Sequence, residues 1–159
     1  MTTTEPAEIK NQIRITKSIY YSLAAGLLLF FIVIVLIQDK DPSAGKDINN
    51  IFTLIVPVFG LIIMFSSRMI YNRLISKLDA SKSLIQKISG YRTAKIVAWA
   101  MIESACIFAL VATRLTSNYL YVAVYIFLFG YFLLLRSSTE SLIRDMRLNS
   151  EESDLLLES

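Results

Sequence analysis

Four long apolar runs set what this chain can fold into. They cover residues 18–38, 50–72, 94–115 and 118–136 of 159. Roughly 20 mostly apolar residues are needed for an α-helix to cross the ~30 Å hydrocarbon core of a bilayer, so each run reads as a membrane span. The sequence therefore predicts an all-α polytopic membrane protein: a four-transmembrane-helix bundle with cytoplasmic helical extensions. Around the membrane domain, residues 18–148, lie an N-terminal tail, residues 1–17, and an acidic C-terminal tail, residues 149–159.

Composition agrees with that layout. The hydrophobic fraction is 55% and the mean hydropathy +0.56, gathered in blocks rather than in the alternating or narrow-stripe patterns of soluble domains. The first run is too long for a cleavable signal peptide, lacks a small-residue cleavage site and is followed by further spans. The chain contains no histidine, which removes histidine general bases, Ser-His and Cys-His nucleophile pairs and His-containing metal sites. Its single cysteine, Cys106, lies inside a span and cannot form an intramolecular disulfide. No cofactor and no metal site is expected.

The net charge of +3 reports topology rather than nucleic-acid binding. If the spans alternate, one side carries Lys10, Arg14, Lys17, Arg68, Arg73, Lys77, Lys82, Lys87, Arg92, Lys95, Arg136, Arg144 and Arg147. The other side carries only Lys40, Lys46 and Arg114. Basic residues accumulate on the cytoplasmic side of membrane proteins. Both termini are thus expected in the cytoplasm of a multi-pass cell-membrane protein, in a bacterium its inner membrane.

Between the spans, Glu8 to Lys17 reads as a short interfacial helix, and Asp41-Pro-Ser-Ala-Gly45 as a turn. The second run continues past the membrane through Leu74, Ile75 and Leu78 at helical spacing. Ser81 to Ile88 is amphipathic and is expected to stop at Gly90, a C-cap residue type. Its apolar side lies on lipid headgroups, folds back on the bundle or docks a partner. A helical extension is expected after Arg136, then a solvated acidic end. Offsets of 68 and 78 residues align Arg68 with Arg136, Leu74 with Leu142 and Phe30 with Phe108. Two tandem helical hairpins, or shared apolar composition alone, account for these matches.

One acid interrupts the third run near its middle: Glu103. A carboxylate at that depth costs about 2.5–3.5 kcal/mol on insertion scales, so it asks for a reason. At 100° per residue it shares a face with Ile96, Trp99, Leu110 and Arg114, while Ala98, Ala105, Ala109 and Ala112 form a small-residue stripe nearly opposite. The stripe suits close helix contact, within the bundle or between subunits. Arg114 lies about 16 Å along the helix from Glu103, too far for an ion pair. Tyr125 in the fourth run is the best candidate hydrogen-bond donor, with Ser22 as a further hydroxyl. These three residues form a candidate ion or proton site. The competing reading is a neutral acid satisfied by hydroxyls that fixes helix register. The repeat Tyr121, Tyr125, Phe129 and Phe132 reads as packing. Tyr20, Tyr21 and Tyr119 read as interfacial belts, and Pro57 with Gly60 as a kink in the second span.

The stretch Ala100-Met-Ile-Glu-Ser-Ala-Cys-Ile-Phe-Ala-Leu-Val-Ala112 resembles the carboxylate helix of rotary ATPase proteolipid c subunits, with Glu103 in the ion-carrying place. That resemblance implies an oligomeric ring with a protonatable site. The family's partner helix is glycine-rich, whereas the second span here carries only Gly60, and a fourth span follows. As a whole the chain resembles the small uncharacterised four-span membrane proteins of bacteria, a likeness of size and layout that implies no activity. The expected function is that of a non-enzymatic accessory or scaffold subunit in the lipid bilayer, associating with further copies or with another membrane protein. The alternative is a proton- or cation-coupled transporter or channel component built on Glu103.

Overall fold

The computed structural model describes residues 4–37, 46–78, 83–146 and 148, and among them all regular structure is helical. Five helices follow one another: α1 (Thr4–Leu36), α2 (Lys46–Ser76), α3 (Leu84–Thr116), α4 (Leu120–Leu134) and α5 (Thr139–Met146). The Asp41–Gly45 turn and the acidic tail lie outside the described residues. Within α1, α2 and α3 the stretches Glu8–Leu36, Ile51–Ser76 and Leu84–Thr116 are long and apolar enough to cross a membrane. The apolar α4 has 15 residues, about 22 Å at 1.5 Å per residue.

α3 is the hub. Half of its most apolar stretch is buried (50%), against 22% for α1 and 17% for α2. Helices α1, α2 and α4 each pack on it, and α5 crosses near its first turns. Ala98, Ala105, Ala109 and Ala112 are all buried inside the chain's own bundle, where their small side chains let neighbouring backbones approach. Because α3 is surrounded, its opposite face is covered too: Trp99 and Leu110 are fully buried. The tandem-hairpin reading is not how the helices pack. Among the described residues α1 and α2 make little contact with each other and both rest on α3, whereas α3 and α4 form an extended antiparallel pair.

A ladder of rings locks α1, α4 and α3 together. Phe31 stacks on Tyr125 at 5.0 Å, Tyr125 on Phe129 at 5.6 Å, and Phe129 on Phe132 at 6.3 Å. Phe132 then stacks on Tyr20 at 5.2 Å, and Tyr20 meets Trp99 at 5.2 Å. Such pairs contribute about 0.5–1.5 kcal/mol each beyond the area they bury. The aromatic repeat of the fourth run therefore serves packing.

Three local expectations are corrected. The interfacial helix and first span are one continuous helix of 33 residues. Gly90 does not end a helix; it lies inside α3, where an added Cβ would sit 2.3 Å from Leu78 Cδ2. The glycine leaves room for the Leu78 side chain, two residues past the end of α2. The chain after Arg136 does not continue α4 either: it leaves the helix at Leu135 and restarts as α5. The apolar side of the 84–88 segment is covered by the chain itself, since Leu84 and Ile88 join Ile9, Tyr91 and Leu142 in a second core cluster.

Candidate functional site

Glu103 lies on α3 between its buried face and its outer one, and is half-exposed. Its neighbours on the outer face are Ala100 and Ser104, both exposed, followed by Ile107 and Val111. Among the described residues Glu103 has no hydrogen bond and no ion pair. The expected constellation is not assembled. Tyr125 is buried and its hydroxyl donates to the Leu27 carbonyl at 3.0 Å, so it ties α4 to α1 instead of serving Glu103. Ser22 is exposed on α1.

A different site forms at the end of the bundle where basic residues gather. Arg68 follows the uncharged segment 51–67 of α2, Lys95 stands just before the segment 96–113 of α3, and Arg136 follows α4. The break after α4 is held from both sides. Trp99 Nε1–H donates to the Leu135 carbonyl at 3.1 Å, and the Tyr20 hydroxyl to the Leu133 carbonyl at 3.2 Å. Leu133 lies in the last turn of α4 and Leu135 is its C-cap residue, where carbonyls lack partners within the helix; the Leu133 carbonyl also accepts from the Arg136 N–H at 3.3 Å. The chain then re-enters a helix through a reciprocal cap: Ser141 N–H donates to Ser138 Oγ, and Ser138 N–H to Ser141 Oγ, both at 3.1 Å.

Hydroxyls dock α5 onto the rest. Tyr91 Oη and Ser141 Oγ are 2.8 Å apart, the buried Ser137 hydroxyl donates to Tyr91 Oη at 3.3 Å, and the Tyr71 hydroxyl donates to Asp145 Oδ2 at 2.5 Å. Between these elements lies a cavity of about 400 Å³. Lys95 sits in it, only 7% exposed, with Nζ 4.8 Å from the Tyr71 ring centre and 5.4 Å from that of Tyr91. Ring faces attract a cation without neutralising it.

The cavity is strongly basic. Arg68, Lys95, Arg136 and Arg144 line it against one carboxylate, Asp145. Asp145 is already engaged, by Tyr71 and by Arg144 Nε at 3.4 Å. Among the described residues Arg68, Lys95 and Arg136 have no carboxylate within ion-pair reach. A cavity of this kind can hold an anion through charge-assisted hydrogen bonds.

Sequence reasoning counted these basic residues toward topology but did not gather them into a site. The available signal was their shared position, each near the same-side end of an apolar run, together with Tyr71 and Tyr91 close to the same level. Among the described residues no group of three or more Asp, Glu, Cys or His is placed to hold a metal ion. Comparison with protein-family models, curated proteins and solved structures finds no match for this chain. The likeness of residues 100–112 to proteolipid c subunits thus rests on those residues alone.

Proposed function

We propose that this chain is a non-enzymatic protein of the bacterial inner membrane that crosses the bilayer four times with both termini in the cytoplasm. In this reading it serves as an accessory subunit, associating laterally with a second copy through the α3 face that bears Glu103. Four crossings are supported by residues 117–135, which contain α4, running back along α3 from Thr116 to the level of Trp99, about 26 Å along that helix. The distribution of lysine and arginine supports the orientation.

The observation that carries the lateral contact is Glu103 itself: a half-exposed carboxyl with no bond within the described residues, on a face otherwise apolar or small. Left against lipid it costs about 2.5–3.5 kcal/mol. A neighbouring helix that hydrogen-bonds it removes that cost, and Ala100 and Ser104 beside it let another backbone come close. The test is oxidative cross-linking in native membranes with the buried Cys106 replaced by alanine. Ser104→Cys is expected to yield a dimer band, and Leu28→Cys on the exposed face of α1 is not. Monomer alone at position 104, together with monomer alone on a blue-native gel, overturns the reading.

The same half-exposed carboxyl favours one second reading, a proton- or cation-coupled component in an oligomer with Glu103 as the site. That reading expects Glu103→Gln to abolish ion flux in proteoliposomes; unchanged flux removes it.

A further inference from the structure

We infer that the basic cavity between α2, α3 and α5 binds the phosphate of an anionic membrane lipid. The inference rests on the reading that α2 and α3 cross the bilayer. Arg68 follows the uncharged segment 51–67 of α2, Lys95 precedes the segment 96–113 of α3, whose one charged residue is Glu103, and Arg136 follows α4; this level is then the depth of the headgroup phosphates. Basic pockets between transmembrane helices on the cytoplasmic side are suited to anionic headgroups.

Charge, size and shape agree on this ligand. Four cations against one engaged carboxylate leave a local excess of positive charge in a cavity of about 400 Å³, within the ~300–1,000 Å³ common for small-ligand sites. Guanidinium groups match phosphate oxygens with paired N–H donors. Arg68, Arg136 and Arg144 are exposed at the mouth, and Lys95 is buried beneath Tyr71 and Tyr91. A phosphate entering the mouth meets arginines first and the lysine at the floor.

One wall distinguishes a lipid from a soluble phosphate. Leu134 of α4 lines the cavity yet is 83% exposed, and Tyr131 beside it is half-exposed. The cavity therefore opens sideways onto apolar surface, so a headgroup can sit inside while its acyl chains run along α4. A soluble phosphate makes no use of such a wall. Asp145 fits the same design: its oxygens are taken by Tyr71 and Arg144, and it holds α5 in place as the far wall.

Trp99 is the only tryptophan in the chain and lines this cavity, so its emission reports on occupancy. The purified full-length protein in detergent micelles is titrated with phosphatidylglycerol or phosphatidylcholine. In a third arm, inorganic phosphate and sn-glycerol 3-phosphate are added to micelles containing phosphatidylcholine. A saturable emission change with phosphatidylglycerol alone is expected, with its midpoint raised at least tenfold in Arg68→Gln and Arg136→Gln. Lys95→Gln is expected to weaken binding further. If that buried substitution prevents folding, the two exposed arginine variants still carry the test. Equal responses to both lipids, or unshifted midpoints in both arginine variants, overturn the inference. A matching response to glycerol 3-phosphate also overturns it, assigning the cavity to a soluble phosphate. Failure of the membrane reading looks different: the protein would stay folded and dissolved without detergent or lipid.

Discussion

Trp99 ties three helices together. It leaves α3, rests on Tyr20 of α1, and donates its indole N–H to the Leu135 carbonyl at the end of α4. Trp99→Phe keeps an aromatic ring but loses that bond and leaves a small void. The expected loss is about 1–2 kcal/mol, read as a lower midpoint of thermal unfolding in detergent; an unchanged midpoint means the indole bond contributes nothing. The sequence places Trp99 and Glu103 on one helical face. What the wheel could not supply was the neighbours. Because α3 is enclosed by three helices, its buried arc is wide enough to take in Trp99 and the alanine stripe together, leaving Glu103 at the margin. Tyr125 looked available to Glu103 by depth alone. Its rotation about α4 points the hydroxyl at Leu27 instead, and rotation between two helices is set by packing rather than by hydropathy.

The same distinction separates what was legible in whole elements. Apolar runs announced α1 to α3, since length and composition alone decide whether a segment suits a bilayer. Their ends were harder. Gly90 has the residue type of a helix stop, but in the structure its missing side chain makes room for Leu78, a contact between segments that local propensity cannot register. The start of α5 was written locally, in Ser138-Thr-Glu-Ser141, where two serines cap each other. The pattern departs from the usual capping box by having serine in the place of glutamate or glutamine, which hides it from a motif search. Ser138→Ala removes the side-chain acceptor for the Ser141 N–H and is expected to cost about 1 kcal/mol. Hydrogen exchange checks this at the level of the element: amides of residues 141–146 should lose protection while those in the middle of α3 keep theirs. Uniform loss across α3 and α5 would show instead that α5 unfolds only with the bundle.

At the scale of the whole molecule, a hydropathy profile finds segments but not their arrangement, which is why a central α3 was not foreseen. It also leaves the depth of α4 open. At about 22 Å the helix is shorter than the ~30 Å hydrocarbon core, and exposed ends of a short helix would place unbonded backbone groups in lipid at several kcal/mol each. The molecule supplies partners for those groups at both ends. Asn118 Oδ1 accepts from the Leu120 N–H at 2.9 Å, and Tyr20 and Trp99 donate to the carbonyls of Leu133 and Leu135. Tyr119 and Arg136 flank the helix as residues suited to the two interfaces. A short crossing with satisfied ends is therefore compatible with a bilayer that thins locally, at a fraction of a kcal/mol per Å of mismatch. Reporter fusions decide the matter. Alkaline phosphatase joined at Asn118 should be active outside the cytoplasm, and a fluorescent protein joined after Leu148 should mature inside it. If the second reporter stays dark while phosphatase at the same position becomes active, α4 does not cross, and the basic cavity walled by α2, α3, α4 and α5 cannot face the cytoplasmic leaflet.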